Sequence, residues 1–233
     1  MGKGGGKMNV LVTGATKGLG RAMVDELILR NANVYATGRD EGQLLELRKA
    51  SGCKGRVFDL AKADEVIKLY ADAKEAFGGA PDVLINNAGF NSRKCLLADA
   101  TLEEFDLQYA VNLRAPFLLC REALKDMSLA RRGHIVNIVS SSALFAGETM
   151  GIYTTMKTGF RALTSVLIKE ARPFNVKVTG IYPGGIDTSF RTESRPDFMR
   201  PESSAKLIAE MIFAPEDTVV HELVFRPISE TNY

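Results

Sequence analysis

The stretch MNVLVTGATKGLG, residues 8–20, decides the fold. Its first half, MNVLVTG (8–14), is an apolar run unbroken by polar alternation, the signature of a strand buried on both faces. Glycines at 14, 18 and 20 follow, where the chain must turn tightly and let backbone N–H groups approach a pyrophosphate. The segment GRAMVDELILRN (20–31) then carries helical periodicity, so a helix N-terminus faces that turn. A glycine-rich loop alone is also an ordinary helix-entry turn. Its place between a first strand and a first helix gives it weight. Its spacing, G-x-x-x-G-x-G, differs from the G-x-G-x-x-G of many dinucleotide folds.

The same alternation continues outward from this unit. Further buried strands are expected at NVYATG (33–38), GRVFD (55–59), DVLINN (82–87), GHIVNIVS (133–140), VKVTGIYP (176–183) and HELVFRP (221–227). Helical periodicity fills the gaps, with one long helix expected over EEFDLQYAVNLRAPFLLCREAL (103–124) and another over 151–171. Regular β-α-β alternation implies a parallel sheet with helices on both faces. No Pro/Gly/Ser-rich linker or repeat divides the chain, so residues 8–233 read as one α/β domain after a disordered lead-in over 1–7.

Composition excludes several classes of function. A net charge of +2 advertises no nucleic-acid partner, and no run of 18 apolar residues offers a membrane span. MGKGGGK lacks the apolar region of a signal peptide, and Gly6 breaks the myristoylation pattern. Cys53, Cys95 and Cys120 are widely spaced, odd in number and in no metal-ligand pattern; they fit buried thiols of a reducing, cytoplasmic compartment. Only His134 and His221 are present, which weakens any histidine-based nucleophile or metal scheme.

YTTMK (153–157) places a tyrosine and a lysine one helical turn apart, on one face. By itself this pair is as much surface decoration as chemistry. Taken with TGATKGLG (13–20), NNAG (86–89), Ser140 thirteen residues before Tyr153 and PGGIDT (183–188), it resembles the short-chain dehydrogenase/reductase family. The motifs stand in that family's order and approximate spacing, over residues 8–227.

The resemblance implies a Rossmann fold: a doubly wound, seven-stranded parallel sheet of order 3-2-1-4-5-6-7, with the cofactor across the carboxyl ends of the strands. It implies cofactor contacts from Gly14, Thr16, Lys17, Gly18, Leu19 and Gly20, from Asp59 and Leu60 beside the adenine, and from Asn86, Ala88 and Gly89. Pro183 and Gly184 would shape the loop over the nicotinamide, Ile186 offering backbone and Thr188 its hydroxyl. It implies a catalytic set of Asn112, Ser140, Tyr153 and Lys157, with Tyr153 and Lys157 also touching the nicotinamide ribose side. A tyrosine with a free pKa of ~10 needs a neighbouring cation to titrate near neutrality, and Lys157 is placed to be one. Ser140 would hold the substrate oxygen, although Ser141 and Ser142 also fit as loop residues around that position. Asn112 would hold a water in a proton relay; an asparagine inside a long helix needs some compensating reason.

The cofactor expected is NADP(H), with NAD(H) the alternative. An acidic residue at the end of the second strand grips the ribose 2′-hydroxyl of NAD. Here that position is Gly38, followed by Arg39, which can bind a 2′-phosphate, and Lys17 offers a second cation. Asp40 would bring an acid closer if the alignment slipped by one residue. The expected partner is a small-molecule carbonyl or alcohol, its identity set by 90–96, 141–152 and a mobile lid, SFRTESRPDF (189–198). Arg191 and Arg195 in that lid either meet an anionic substrate or are surface arginines. The ending VVHELVFRPISETNY departs from the glycine-rich strand of acyl-carrier-protein reductases and looks more like the branch containing small hydroxy-acid dehydrogenases. A homodimer or homotetramer is expected through the two long helices. A dinucleotide-binding sensor or scaffold without turnover is the competing function.

Overall fold

A computed structural model describes residues 6–190 and 194–231. Most of the 1–7 lead-in and the lid residue Arg191 therefore lie outside the described residues. Seven parallel strands form one sheet in the order β3-β2-β1-β4-β5-β6-β7: β1 (Asn9–Thr13), β2 (Asn33–Thr37), β3 (Lys54–Gly55), β4 (Val83–Asn86), β5 (His134–Ile138), β6 (Lys177–Pro183) and β7 (Glu222–Phe225). Among the described residues the α-helices are α1 (Gly18–Leu29), α2 (Glu41–Ser51), α3 (Ala63–Phe77), α4 (Leu102–Tyr109), α5 (Ala115–Ala130), α6 (Gly151–Ala171) and α7 (Pro201–Ile212). The expected Rossmann architecture and strand order are what the chain adopts.

Alternation along the strands builds two cores. Val10, Val12, Val34, Val83, Ile85 and Val136 face α1, α2 and α7, meeting Met23, Val24, Leu27, Leu47 and Ile208. Leu11, Tyr35, Leu84, Ile135 and Val178 face the other way, against Leu69 of α3, Leu119 and Met127 of α5 and Leu167 of α6. Because both faces are covered, neither set of side chains reads as polar. Burying such a side chain is worth about 1.5–3 kcal/mol, so both helical layers are tightly tied to the sheet.

Two elements differ from the sequence reading. The third strand, expected over 55–59, pairs with β2 only at Lys54 and Gly55. Beyond Gly55 the chain still follows β2, held by the Thr37 hydroxyl donating to the Arg56 carbonyl at 2.9 Å rather than by a ladder. The long helix expected over 103–124 is instead α4, a π-helical turn over Ala110–Arg114, and α5. The π-turn falls on Asn112.

Strand order fixes where a ligand goes. From β1 the chain builds outward to β2 and β3, then returns to place β4 on the other side of β1. That reversal leaves a crevice at the carboxyl ends of β1 and β4, the general ligand position of open α/β sheets.

Candidate active site

The loops that leave the carboxyl ends of β1, β2, β4, β5 and β6 meet at this crevice. The β1–α1 turn comes first. Gly14 (φ +62°) and Gly18 (φ +53°) occupy the left-handed region that side chains other than glycine's rarely adopt. A Cβ on Gly20 would stand 2.1 Å from the Gly14 carbonyl oxygen, so only glycine lets α1 begin this close to the turn. The α1 N-cap, Lys17, makes no side-chain cap, which leaves the first N–H groups of the helix for another acceptor. Uncapped helix donors, a turn kept tight by glycines at 14, 18 and 20, and the helix dipole together fit a pyrophosphate.

The β4 end closes on the same turn. The Thr13 hydroxyl accepts from the Asn87 and Ala88 N–H groups, both at 3.0 Å, and the Asn87 amide donates to the Thr13 and Gly14 carbonyls at 2.9 and 3.1 Å. These contacts seat Ala88 against Gly14. Neither Thr13 nor Asn87 stands among the residues singled out from sequence, although Asn87 lies inside the quoted NNAG. Asn86 points elsewhere: its amide donates to Asn137 Oδ1 at 2.9 Å and to the Cys120 thiol at 3.2 Å, in the interior between β4, β5 and α5. Its side chain therefore braces the strand end rather than lining the crevice.

At the β2 end, Gly38 is required by packing. A Cβ there would meet Thr16 Cγ2 at 2.5 Å and Oγ1 at 2.8 Å. Arg39 is exposed, with its guanidinium 6.0 Å from the centre of the Phe90 ring. The Asp40 carboxylate is the N-cap of α2, accepting from Gln43 N–H at 2.9 Å. Asp59 accepts from Ala61 N–H at 3.0 Å in its own turn, and Leu60 is buried.

Lys157 is the centre of the chemical end. It is buried, and its ammonium donates to the Ile138 carbonyl at 2.9 Å, at the end of β5 and two residues before Ser140. The same nitrogen stands 5.8 Å from the centre of the Tyr153 ring and 5.5 Å from that of Phe160. Burial brings its pKa down to about 7. A Cβ on Gly89 would lie 3.0 Å from Asn112 Oδ1 and 3.3 Å from Lys157 Nζ, so both side chains reach the same point of the crevice across that glycine. Asn112 is fully buried; its Oδ1 accepts from Phe90 N–H at 3.0 Å and its amide donates to the Phe90 carbonyl at 2.8 Å. Ser140 is buried at the end of β5, its hydroxyl accepting from Ser142 N–H at 3.1 Å, while Ser141 and Ser142 are partly exposed. Tyr153 packs its ring 5.8 Å from that of Phe190.

The β6 end completes the ring. Thr188 sits against Gly18, so the loop after Pro183 touches the glycine turn. Ile186 pairs with Met199 in an isolated parallel bridge, closing the base of the lid. Gly185 N–H donates to Glu230 at 2.8 Å, and Glu230 also fills the space a Gly184 side chain would need. Arg195 is engaged by Asp197 through bonds of 2.9 and 2.7 Å and stacks on Phe198.

A family model described as short chain dehydrogenase matches residues 8–198. The chain belongs to the short-chain dehydrogenase family. A member from Sinorhizobium fredii, called an uncharacterised short-chain type dehydrogenase/reductase, is 31% identical over 232 residues, covering 94% of this chain and 91% of its own. Among solved structures, a metagenomic short-chain oxidoreductase in complex with NADP superposes with a TM-score of 0.84 at 29% identity, covering 96% of this chain and 98% of its own. An alcohol dehydrogenase from the archaeon Thermococcus sibiricus, complexed with 5-hydroxy-NADP, gives 0.88 at 23% identity over 97% and 99% of the two chains. The protein is thus an oxidoreductase of this family, with a crevice that fits a dinucleotide and a small-molecule substrate.

Proposed function

We propose that the protein interconverts a carbonyl and a secondary alcohol with NADP(H), Tyr153 serving as general acid and base. The observation that carries this reading is the buried Lys157 ammonium, held between the β5 carboxyl end, the Tyr153 ring and Asn112. Burying a lysine is costly unless the position has a use, and beside a tyrosine a cation favours the phenolate.

The residues divide the work as follows. Gly14, Thr16, Lys17, Gly18, Leu19 and Gly20 hold the pyrophosphate side. Asp59, Leu60, Ala88 and Gly89 border the adenosine and ribose, and Pro183, Gly184, Ile186 and Thr188 border the nicotinamide. When bound, the nicotinamide supplies or takes up the hydride. Ser140 holds the substrate oxygen, and Tyr153 donates the proton that converts the resulting alkoxide to an alcohol. Lys157 lowers the tyrosine pKa, and Asn112 fixes the far end of the proton path.

Preference for the 2′-phosphate is supported by exposed Arg39 at the β2 end and by Asp40, whose carboxylate is spent on the α2 cap. Engagement of Arg195 by Asp197 leaves less support for an anionic substrate. A homodimer or homotetramer through α4–α5 and α6 is part of the same reading, supported by the exposed Leu102, Phe105, Phe117 and Val166. A reducing, cytoplasmic setting suits the three cysteines, which are all free thiols.

The test is a panel of ketones, aldehydes, β-keto esters and secondary alcohols with NADPH or NADP+, read at the nicotinamide absorbance. Turnover that falls at least 100-fold in Tyr153→Phe is expected. Binding of dinucleotide with no turnover of any substrate would move the protein to the sensor class, and undiminished turnover in Tyr153→Phe would remove the mechanism.

A further inference from the structure

The segment after β7 reaches the loop that follows β6. After β7 the segment 226–230 folds back beneath the loop that follows β6. There Glu230 accepts from Gly185 N–H at 2.8 Å through one carboxylate oxygen and from Arg226 Nε at 2.8 Å through the other. The ion pair is largely buried, with 8% and 16% of the two side chains exposed. Arg226 in turn lays its guanidinium 4.9 Å from the centre of the Phe145 ring, on the loop between Ser140 and Tyr153. Ser229, one residue before Glu230, donates to the Asp197 carbonyl at 2.8 Å, tying the tail to the lid.

We propose that Glu230, clasped by Arg226, is a positioning residue for the nicotinamide half of the cofactor, making residues 226–230 a structural part of the active site. This deepens the dinucleotide reading given above and rests on it. Three features support the proposal. The hydrogen bond falls on the backbone of the loop 183–188 itself, where it fixes a peptide plane between Gly184 and Gly185. The loop carries glycines at both positions because the carboxylate and the Phe198 ring occupy the places of their side chains: a Cβ would stand 2.4 Å from Glu230 Oε2 at Gly184 and 2.3 Å from the ring at Gly185. A charge-assisted bond shielded from water is also stronger than a neutral surface contact. One carboxylate thus sets the loop, while its cationic partner reaches the loop leading to Tyr153.

A purely structural tail would behave differently from a positioning one, and the cofactor itself separates them. In the dinucleotide reading the loop 183–188 borders the nicotinamide half and meets the glycine turn only through Thr188, away from Gly184 and Gly185, so the adenosine half serves as an internal control. The measurement is dissociation constants, by titration calorimetry on the full chain, for whichever of NADPH and NADH the wild type binds better. The matching fragment, 2′,5′-ADP or ADP, is titrated in parallel.

Glu230→Ala is expected to weaken the whole dinucleotide about tenfold, or about 1.4 kcal/mol, and to leave the fragment within about twofold. Glu230→Gln retains an acceptor for Gly185 N–H and is expected to recover at least half of that loss. Equal weakening of dinucleotide and fragment, or no weakening of either, would overturn the clasp. Wild-type protein that binds neither dinucleotide overturns the cofactor reading and the clasp with it. If Glu230→Ala fails to fold, Glu230→Asp decides, because it keeps the charge but is one methylene too short to reach Gly185 N–H from the same backbone: dinucleotide binding within about twofold of wild type sinks the proposal.

Discussion

Replacing Lys157 by methionine should make the protein more stable below neutral pH while abolishing turnover. Burial lowers the Lys157 pKa from 10.5 to about 7. Between those values the unfolded chain binds the proton and the folded chain does not, so stability rises with pH across that interval. Above it both states are neutral and the contribution vanishes; below about pH 7 the folded chain bears the full cost of a buried charge. A displacement of this size corresponds to about 5 kcal/mol at the acid limit. The rings of Tyr153 and Phe160, 5.8 and 5.5 Å from the ammonium, favour the cation and oppose the effect, so that figure is a ceiling.

Methionine keeps the length and removes the charge, at the loss of the hydrogen bond to the Ile138 carbonyl, about 1 kcal/mol. The net gain expected near pH 6 is therefore about 2–4 kcal/mol, or roughly 5–15 °C in Tm for a chain of this size. Near pH 9 the gain should fall to about 1 kcal/mol. The assay is thermal unfolding of both proteins from about pH 6 to pH 9, scored as the difference between them, which cancels every group the two share. Parallel curves, or a variant that is less stable at all pH values, would refute the desolvation argument.

Two further outcomes follow from the cofactor end. Arg39→Ala should raise the KM for NADPH about tenfold or more and leave that for NADH within about twofold, as loss of a charged phosphate contact demands; equal effects on both would remove the 2′-phosphate assignment. Gly38→Ala should lower stability by about 1–3 kcal/mol, because its Cβ meets Thr16 at 2.5 Å. Thr16→Ala should relieve most of that cost when combined with it, and equal Tm losses in both backgrounds would show the clash is not the cause.

What the sequence disclosed and what it concealed divide along physical lines. The strands were legible because a sheet covered on both faces demands continuous apolar runs, and VLINN or HIVNIV can be little else. β3 fell short because its ladder ends at Gly55 (φ +157°), after which the Thr37 hydroxyl bonds the Arg56 carbonyl in place of a backbone partner. The lack of an acid at position 38 speaks for NADP(H) by sequence, and the structure adds that Thr16 already requires a glycine there. Asp40, a rival for the ribose by sequence, is explained by the α2 N-cap. The clasp of Glu230 on Gly185 was illegible: 45 residues separate the partners, and no local pattern marks a carboxylate that bonds a backbone N–H so far away.

Asn112 shows how a local irregularity carries a long-range arrangement. A regular helix over 103–124 would present its polar residues at a 3.6 period, and an asparagine there would compete with the helix for hydrogen bonds. The π-turn over Ala110–Arg114 adds one residue to a single turn, bonding Ala115 N–H to the Ala110 carbonyl, and shifts the register of everything after it. Asn112 is thereby turned inward, where its carboxamide pairs both main-chain groups of Phe90, as a neighbouring strand would. Phe90 is then fixed at its backbone, and its ring is the surface beside which Arg39 stands. One irregular turn thus joins Asn112, which meets Lys157 across Gly89, to the cation at the β2 end. That linkage explains why an asparagine stands in the helix at all: its side chain supplies the hydrogen bonds that the loop after β4, running beyond the edge of the sheet, has no strand to provide.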